Sequence, residues 1–257
     1  RGAGGCIDSP VRYLIVSDIH ANLEGLRAVL AANEGLYDEI LCCGDFVDYC
    51  ASPNEICEWA RENCATVIRG NHDKACCGLD DTDDYNPLAQ AAVAWTMGQL
   101  TAENLEWLRS LPQGPLWIEN KFQLVHGSPY HEDEYLLDVG EIIRARQTME
   151  AQLVFFGHTH LQGAIRFHGD QGMMLPTVTA EEETVLLELD PEDYYLINPG
   201  SVGQPRDRDW RASCALYDSE KHRVLLRRIP YDIAGAQQRI RASGLPPMLA
   251  ERLARGQ

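Results

Sequence analysis

The run Leu153-Val154-Phe155-Phe156 ends in Gly157-His158-Thr159-His160, an apolar stretch closing on a glycine and two imidazoles spaced two apart. In an extended segment, residues i and i+2 project from the same side, so His158 and His160 could be aimed at one point. Two imidazoles converging on a point suggest a metal ion. Four further motifs put polar residues just past an apolar run: Asp18-Ile19-His20, Gly44-Asp45, Gly70-Asn71-His72-Asp73 and His126-Gly127. Five of the eight histidines fall in these motifs. Taken singly, each has an ordinary explanation: Asp-x-His could cap a helix, and Gly-Asn-His could be a turn. Five in order are a different matter.

The elements needed to position them are visible as periodicity. Val11 to Ser17, Ile40 to Cys43 and Thr66 to Ile68 are predicted strands. Helices from Leu23 to Asn33 and from Pro53 through Trp59 fall between them, with Leu23, Leu26, Val29 and Leu30 at helical spacing. Strand and helix alternate, and polar residues collect after each strand, where ligands of open α/β sheets sit. After the acidic loop Asp80 to Asp84, Pro87 to Leu100 and Thr101 to Ser110 are predicted helices of an insertion spanning about 76–113, a candidate lid. Leu116 to Glu119 and Phe122 to Val125 flank an Asn120-Lys121 turn, and Glu141 to Glu150 is predicted helical. Thr184 to Leu189, Tyr194 to Ile197, Ser213 to Tyr217 and Val224 to Arg228 complete the strands. A helical tail from Ile233 to Arg255 is broken around Pro246-Pro247. One domain over 11–257 is expected, preceded by a trimmed, tagged or disordered leader at 1–10.

Composition narrows the function classes. The 257 residues are 45% hydrophobic, enough for a sizeable core, and 22 Lys plus Arg against 39 Asp plus Glu give a net charge of −17. That field repels polyanions, so extended nucleic acid and anionic membrane are poor partners, and a DNA exonuclease reading is disfavoured. No apolar run approaches the roughly 20 residues of a membrane span. The nine cysteines include no C-x-x-C pair; they are read as small buried apolar residues in a reducing compartment, which places the protein in the cytoplasm.

The ordered motifs resemble the calcineurin-like metallophosphoesterase superfamily from Val11 to about Gln204, and Asn198-Pro199-Gly200-Ser201-Val202-Gly203-Gln204-Pro205 is similar to a stretch of its small bacterial and archaeal members. The resemblance implies an α/β fold, a two-sheet β-sandwich flanked by helices in four αββα layers. It also implies a two-metal site, with Asp18, His20 and His160 on the first metal, Asn71, His126 and His158 on the second, and Asp45 bridging both. Such mixed donors suit Mn²⁺ first, with Fe, Zn²⁺ or Ni²⁺ as alternatives. Two divalent ions bring about four positive charges, and two carboxylates with a bridging hydroxide remove about three, which leaves the site attractive to phosphate. The implied reaction is attack of that hydroxide on phosphorus in a small phosphomonoester or phosphodiester.

His72 is then the candidate general acid for the leaving oxygen. Gly44-Asp45-Phe46-Val47-Asp48 resembles the matching motif of protein serine/threonine phosphatases, in which the second Asp orients the acid histidine, so Asp48 would hold His72. Tyr49 stands where those phosphatases carry a phosphate-gripping Arg, and Asp73 replaces their Glu. Asn22, Arg69 and Arg206 are candidate anion-binding residues, although Asn22 could equally cap a helix and lone arginines commonly form surface ion pairs. The insertion at 76–113 and the segment 162–193 are expected to frame the substrate entrance. A protein or dinucleoside polyphosphate phosphatase, and a non-catalytic scaffold on the same fold, are the competing readings.

Overall fold

Successive residues of the first strand face two different apolar layers: Tyr13 and Ile15 join one buried cluster, Leu14 and Val16 another. A strand buried on both faces reads as a continuous apolar run, which is why the sequence shows it so clearly. In the computed structural model, which describes residues 11–169 and 171–257, this strand is β1 (Arg12–Val16). The expected leader at 1–10 lies outside the described residues.

The chain continues through α1 (Leu23–Ala32), β2 (Glu39–Cys42), α2 (Pro53–Asn63), β3 (Cys64–Val67) and a short α3 (Asn71–Cys76). The helical insertion follows as α4 (Pro87–Gln99) and α5 (Ala102–Ser110). Then come β4 (Leu116–Ile118), β5 (Phe122–Leu124), α6 (Val139–Thr148), β6 (Leu153–Phe155), β7 (Gly163–His168) and β8 (Gln171–Met174). The remainder is β9 (Thr184–Glu188), β10 (Tyr194–Asn198), β11 (Ala212–Asp218), β12 (Arg223–Ile229), α7 (Ile233–Ser243) and α8 (Pro247–Leu253).

Two mixed six-stranded sheets result, ordered β3-β2-β1-β11-β12-β9 and β4-β5-β6-β10-β7-β8. Tyr13, Ile15, Phe122, Phe155, Tyr195 and Tyr217 fill the space between them. The outer face of the first sheet packs on α1, α2, α7 and α8 through Leu26, Val29, Ile56, Ile240 and Leu249. The outer face of the second packs on α6 through Ala145, Val154 and Leu196. This is the expected α/β sandwich. Helix starts follow local chemistry: the side chains of Asn22, Asn86, Thr101, Asp138 and Asp232 each accept a backbone N–H at the head of their helix.

Two elements depart from the sequence reading. Residues 71–76 form the short helix α3, where no element was expected, and the segment 162–193, expected at the substrate entrance, holds β7 and the edge strand β8 before the expected strand β9. No helix among the described residues is long and apolar enough to cross a membrane. The eight described cysteines are all free, and seven of them are buried.

Candidate functional site

The parallel strands of both sheets point the same way, and their C-terminal ends carry the motifs. Strands β1, β2 and β3 deliver Asp18 with His20, Asp45, and Asn71 with His72; β5 and β6 deliver His126, and His158 with His160. The loops then turn sharply. Asp18, His20, Asp45, Asp48, Tyr49, His158 and His160 all have φ between 46° and 78°, a region that costs non-glycine residues about 1–2 kcal/mol each. The expected extended alternation at His158 and His160 is therefore corrected, because two left-handed residues past the end of β6 aim these rings. They do not share one point. His160 groups with Asp18, His20 and Asp45, whereas His158 groups with Asp45 and His126.

Backbone hydrogen bonds hold the strained loops. The N–H of Asp18 donates to Gly44, that of His20 to Asp45 and that of Gly157 to His126, at 2.8–3.0 Å. Asp73 accepts N–H bonds from Asp45, Phe46 and Gly70 at 2.8–2.9 Å, clamping the Asp45 loop to the head of α3. Gly70 is required there, since a Cβ would lie 2.0 Å from Asp45 Oδ1. Asn198 donates to Gly157 O and Thr159 Oγ1, and Ser201 Oγ to Asp18 O, so the Asn-Pro-Gly-Ser stretch braces two of the site loops.

Each imidazole of the cluster is pinned by a main-chain carbonyl. Nδ1 of His20, His126 and His160 donates to the oxygens of Val47, Cys43 and Gln204 at 2.9, 2.8 and 2.6 Å; Nε2 of His158 donates to Asp133 O at 3.0 Å. A carbonyl only accepts, so these bonds fix which nitrogen carries the proton, and in His20, His158 and His160, which burial keeps neutral, they leave the other ring nitrogen bare. Nε2 of His20 and Nε2 of His160 consequently face each other at 3.1 Å. Burial keeps both rings neutral, their pKa values lying well below the ordinary histidine range, so neither supplies a proton between them. Asp45 Oδ2 is likewise buried with no hydrogen-bond partner, 3.6 Å from His20 Nε2 and 3.4 Å from His126 Nε2. Two facing lone pairs and an orphan carboxylate oxygen in a buried site are what a divalent cation satisfies.

The second half of the cluster is built differently. Asn71 Oδ1 lies 3.1 Å from His126 Nε2, while its Nδ2 donates to the Tyr85 hydroxyl at 2.7 Å. Burial opposes a charge on His126, yet Asp45 and then Asp18 push it up to about 10; burial, helped by Asp45, lifts Asp18 to about 6. A cation among these donors would take the place of the protons.

His72 sits beside the cluster with Nδ1 2.7 Å from Asp48 Oδ2, Nε2 3.2 Å from the Tyr49 hydroxyl, and its backbone N–H on Asp45 Oδ1 at 2.9 Å. Burial works against its protonated form, but Asp45 and Asp48 raise its pKa overall. The site opens into a cavity of about 300 Å³ lined by Tyr49, Tyr85, Tyr135, Asp80, Asp84 and Asp133, among others.

Of the softer candidates, Asn22 and Arg69 belong to the scaffold. Asn22 Oδ1 accepts the Gly25 N–H and its Nδ2 donates to Gly203 O, which consumes both ends of the amide. Arg69 makes two bonds to the Glu132 carboxylate and one to Gln113. Arg206 stays at the site, with its guanidinium 5.9 Å from the Tyr49 ring centre and its buried Nε unpartnered. The insertion contributes Asp80, Asp84, Tyr85, Asn86 and Ala89 to the cavity, but 162–193 contributes nothing; residues 133 and 135 take its place. Sequence reasoning missed Tyr85, Tyr135, which stacks on His158 at 3.7 Å, and Arg252, 5.8 Å from the Tyr49 ring centre. Only their folded positions distinguish them from ordinary surface residues.

Comparison with known proteins agrees with this architecture. An uncharacterized protein of Methanocaldococcus jannaschii is 38% identical over 256 residues, covering 93% of this chain and 96% of its own. A crystal structure of a metallophosphoesterase from Sphaerobacter thermophilus is 36% identical with a TM-score of 0.82, covering 97% of this chain and all of that one. A hypothetical protein from Pyrococcus horikoshii shares the fold at 22% identity and a TM-score of 0.76, covering 96% of this chain and 99% of its own. The calcineurin-like phosphoesterase superfamily domain matches residues 11–222, and the chain belongs to that superfamily.

Proposed function

We propose that the protein is a cytoplasmic, metal-dependent phosphoesterase that hydrolyses a small phosphomonoester or phosphodiester. Asp18, His20 and His160 would hold one divalent cation, Asn71, His126 and His158 a second, with Asp45 shared and Mn²⁺ the first choice for these mixed donors. The observation that carries the reading is the pair of neutral imidazoles, His20 and His160, whose bare nitrogens face each other at 3.1 Å beside the unpartnered Asp45 oxygen. Bound there, the cations would supply an acidified water and neutralise charge on the phosphoryl oxygens.

The chain's own residues do the rest. With Nδ1 of His72 on the Asp48 carboxylate, its Nε2 is the atom that hands a proton to the leaving oxygen, and the Tyr49 hydroxyl limits how far the ring can tip. Asp48 fixes the tautomer and favours the protonated ring. Arg206 offers a guanidinium to the phosphoryl group. The cavity of about 300 Å³ suits a compact leaving group.

The test is a Mn²⁺ titration of chelator-treated protein, with chromogenic phosphomonoester and phosphodiester substrates read side by side. Activity should appear with the metal, and His72→Ala should cost about a hundredfold in kcat. Full activity after chelation would remove the metal reading, and a loss below about threefold in His72→Ala would remove the general acid.

A further inference from the structure

The surroundings of the cluster are divided by charge. Arg206 and Arg252 both lean on the Tyr49 ring, 5.9 and 5.8 Å from its centre, and neither forms an ion pair with an Asp or Glu among the described residues. In a chain of net charge −17, two neighbouring guanidiniums without a carboxylate partner are conspicuous. Arg252 comes from α8, and among the described residues the only hydrogen bond of its side chain is from Nε to the main-chain oxygen of Gln257.

The cavity has the opposite character. No Lys or Arg lines it; beyond the end where His72 and His158 meet the cluster, its walls include the Tyr49, Tyr85 and Tyr135 rings together with Asp80, Asp84 and Asp133. Lys74 pairs with Asp133 at 2.5 Å and reaches Asp80 at 3.6 Å, but Asp84 has no ion-pair partner among the described residues. The aromatic faces, the unpaired Asp84, and Asp80 and Asp133 sharing the one Lys74 ammonium together leave a net negative wall that favours a cation and repels further phosphates or carboxylates.

Resting on the phosphoesterase reading above, we propose that the substrate is zwitterionic: a phosphate ester whose leaving alcohol carries an ammonium group. Its phosphoryl end meets Arg206 and Arg252, and its cationic end enters the tyrosine-walled cavity against Asp84 and Asp80. Dinucleoside polyphosphates fit poorly, because their remaining phosphates would face the carboxylates.

Three esters of similar size separate the possibilities: phosphoethanolamine, ethyl phosphate and phosphoglycolate, with terminal charges of about +1, 0 and −1 near neutral pH. With the full-length, Mn²⁺-loaded protein, kcat/KM for phosphoethanolamine should exceed that for ethyl phosphate by about tenfold, with phosphoglycolate lowest. In the double variant Asp80→Asn/Asp84→Asn, both positions being exposed, this ratio should fall to within about threefold of unity. In Arg252→Met, KM should rise by about tenfold for all three esters, leaving the ratio in place. The glycerol diester of ethanolamine phosphate tells a free ester from a headgroup still attached to glycerol.

Calorimetric binding of the same esters gives a readout independent of turnover. If affinities follow the order of terminal charge but nothing is hydrolysed, the ligand class stands and the phosphoesterase reading fails. If all esters are hydrolysed and bound without regard to that charge, or phosphoglycolate is preferred, the zwitterion proposal is overturned and the phosphoesterase reading stands.

Discussion

The space between the sheets and the loops at one edge of them lie only a few residues apart on the same strands, yet they obey opposite rules. Tyr13 and Ile15 on β1 and Phe155 on β6 are fully buried apolar residues. A short step further along, Asp18, His20, His158 and His160 are also buried, but they are polar, held in left-handed backbone conformations, and surround an unpartnered carboxylate oxygen. The sandwich supplies stability, and the loops consume some of it to hold ligands in place.

Exchanging the two kinds of damage breaks or sustains this contrast. Asp45→Asn should lower hydrolysis and cation affinity by more than about a hundredfold, since even removing outer partners of metal ligands costs tenfold to a hundredfold. Its stability in chelator should fall by less than that of Phe155→Ala, because the amide oxygen keeps the bond from the His72 N–H and His126 can shed its proton when the Asp45 charge is gone. Phe155→Ala should do the reverse, losing about 3–5 kcal/mol of stability while the fraction that remains folded keeps its cation affinity. Equal losses of stability in both variants, measured by denaturant unfolding, would erase the distinction.

Acid sharpens it next. Cation binding needs Asp18 and His126 without their protons, and these are held at about 6 and about 10 respectively. Displacing the His126 proton should raise affinity by about tenfold per pH unit between pH 7 and 9, and below pH 6 the Asp18 proton should steepen the fall. Calorimetry across that range checks the sign. An affinity that is flat or rises with acid would show that protons and cations do not compete there.

The smallest effect concerns a residue at the border. Asn22 lies two residues past His20 but serves the scaffold, capping α1 and bracing Gly203. Asn22→Ala should cost about 1–2 kcal/mol of stability and change KM by less than about twofold. A large KM change with intact stability would return Asn22 to the substrate.

What the sequence showed divides along the same line. Strands such as β1 and β6 were legible because burial on both faces leaves an unbroken apolar run, and the motifs were legible because polar residues after such runs are unusual. The edge strand β8 was not, since Gln171 to Met174 are all exposed and carry no pattern. Helix α3, six residues long, is too short for periodicity to mark. The carbonyls of Cys43, Val47, Asp133 and Gln204 that fix the imidazole tautomers have no side-chain signature at all. Arg69 is held away from the site by Glu132, a partner 63 residues distant that no local sequence pattern reveals.

The central claim is that side chains from five separate loops hold two cations that share Asp45. Anomalous diffraction from crystals soaked in Mn²⁺ tests it most directly. The account expects two peaks, one coordinated by Asp18, His20 and His160, the other by Asn71, His126 and His158, with Asp45 touching both. A single peak, or peaks away from these residues, would contradict it.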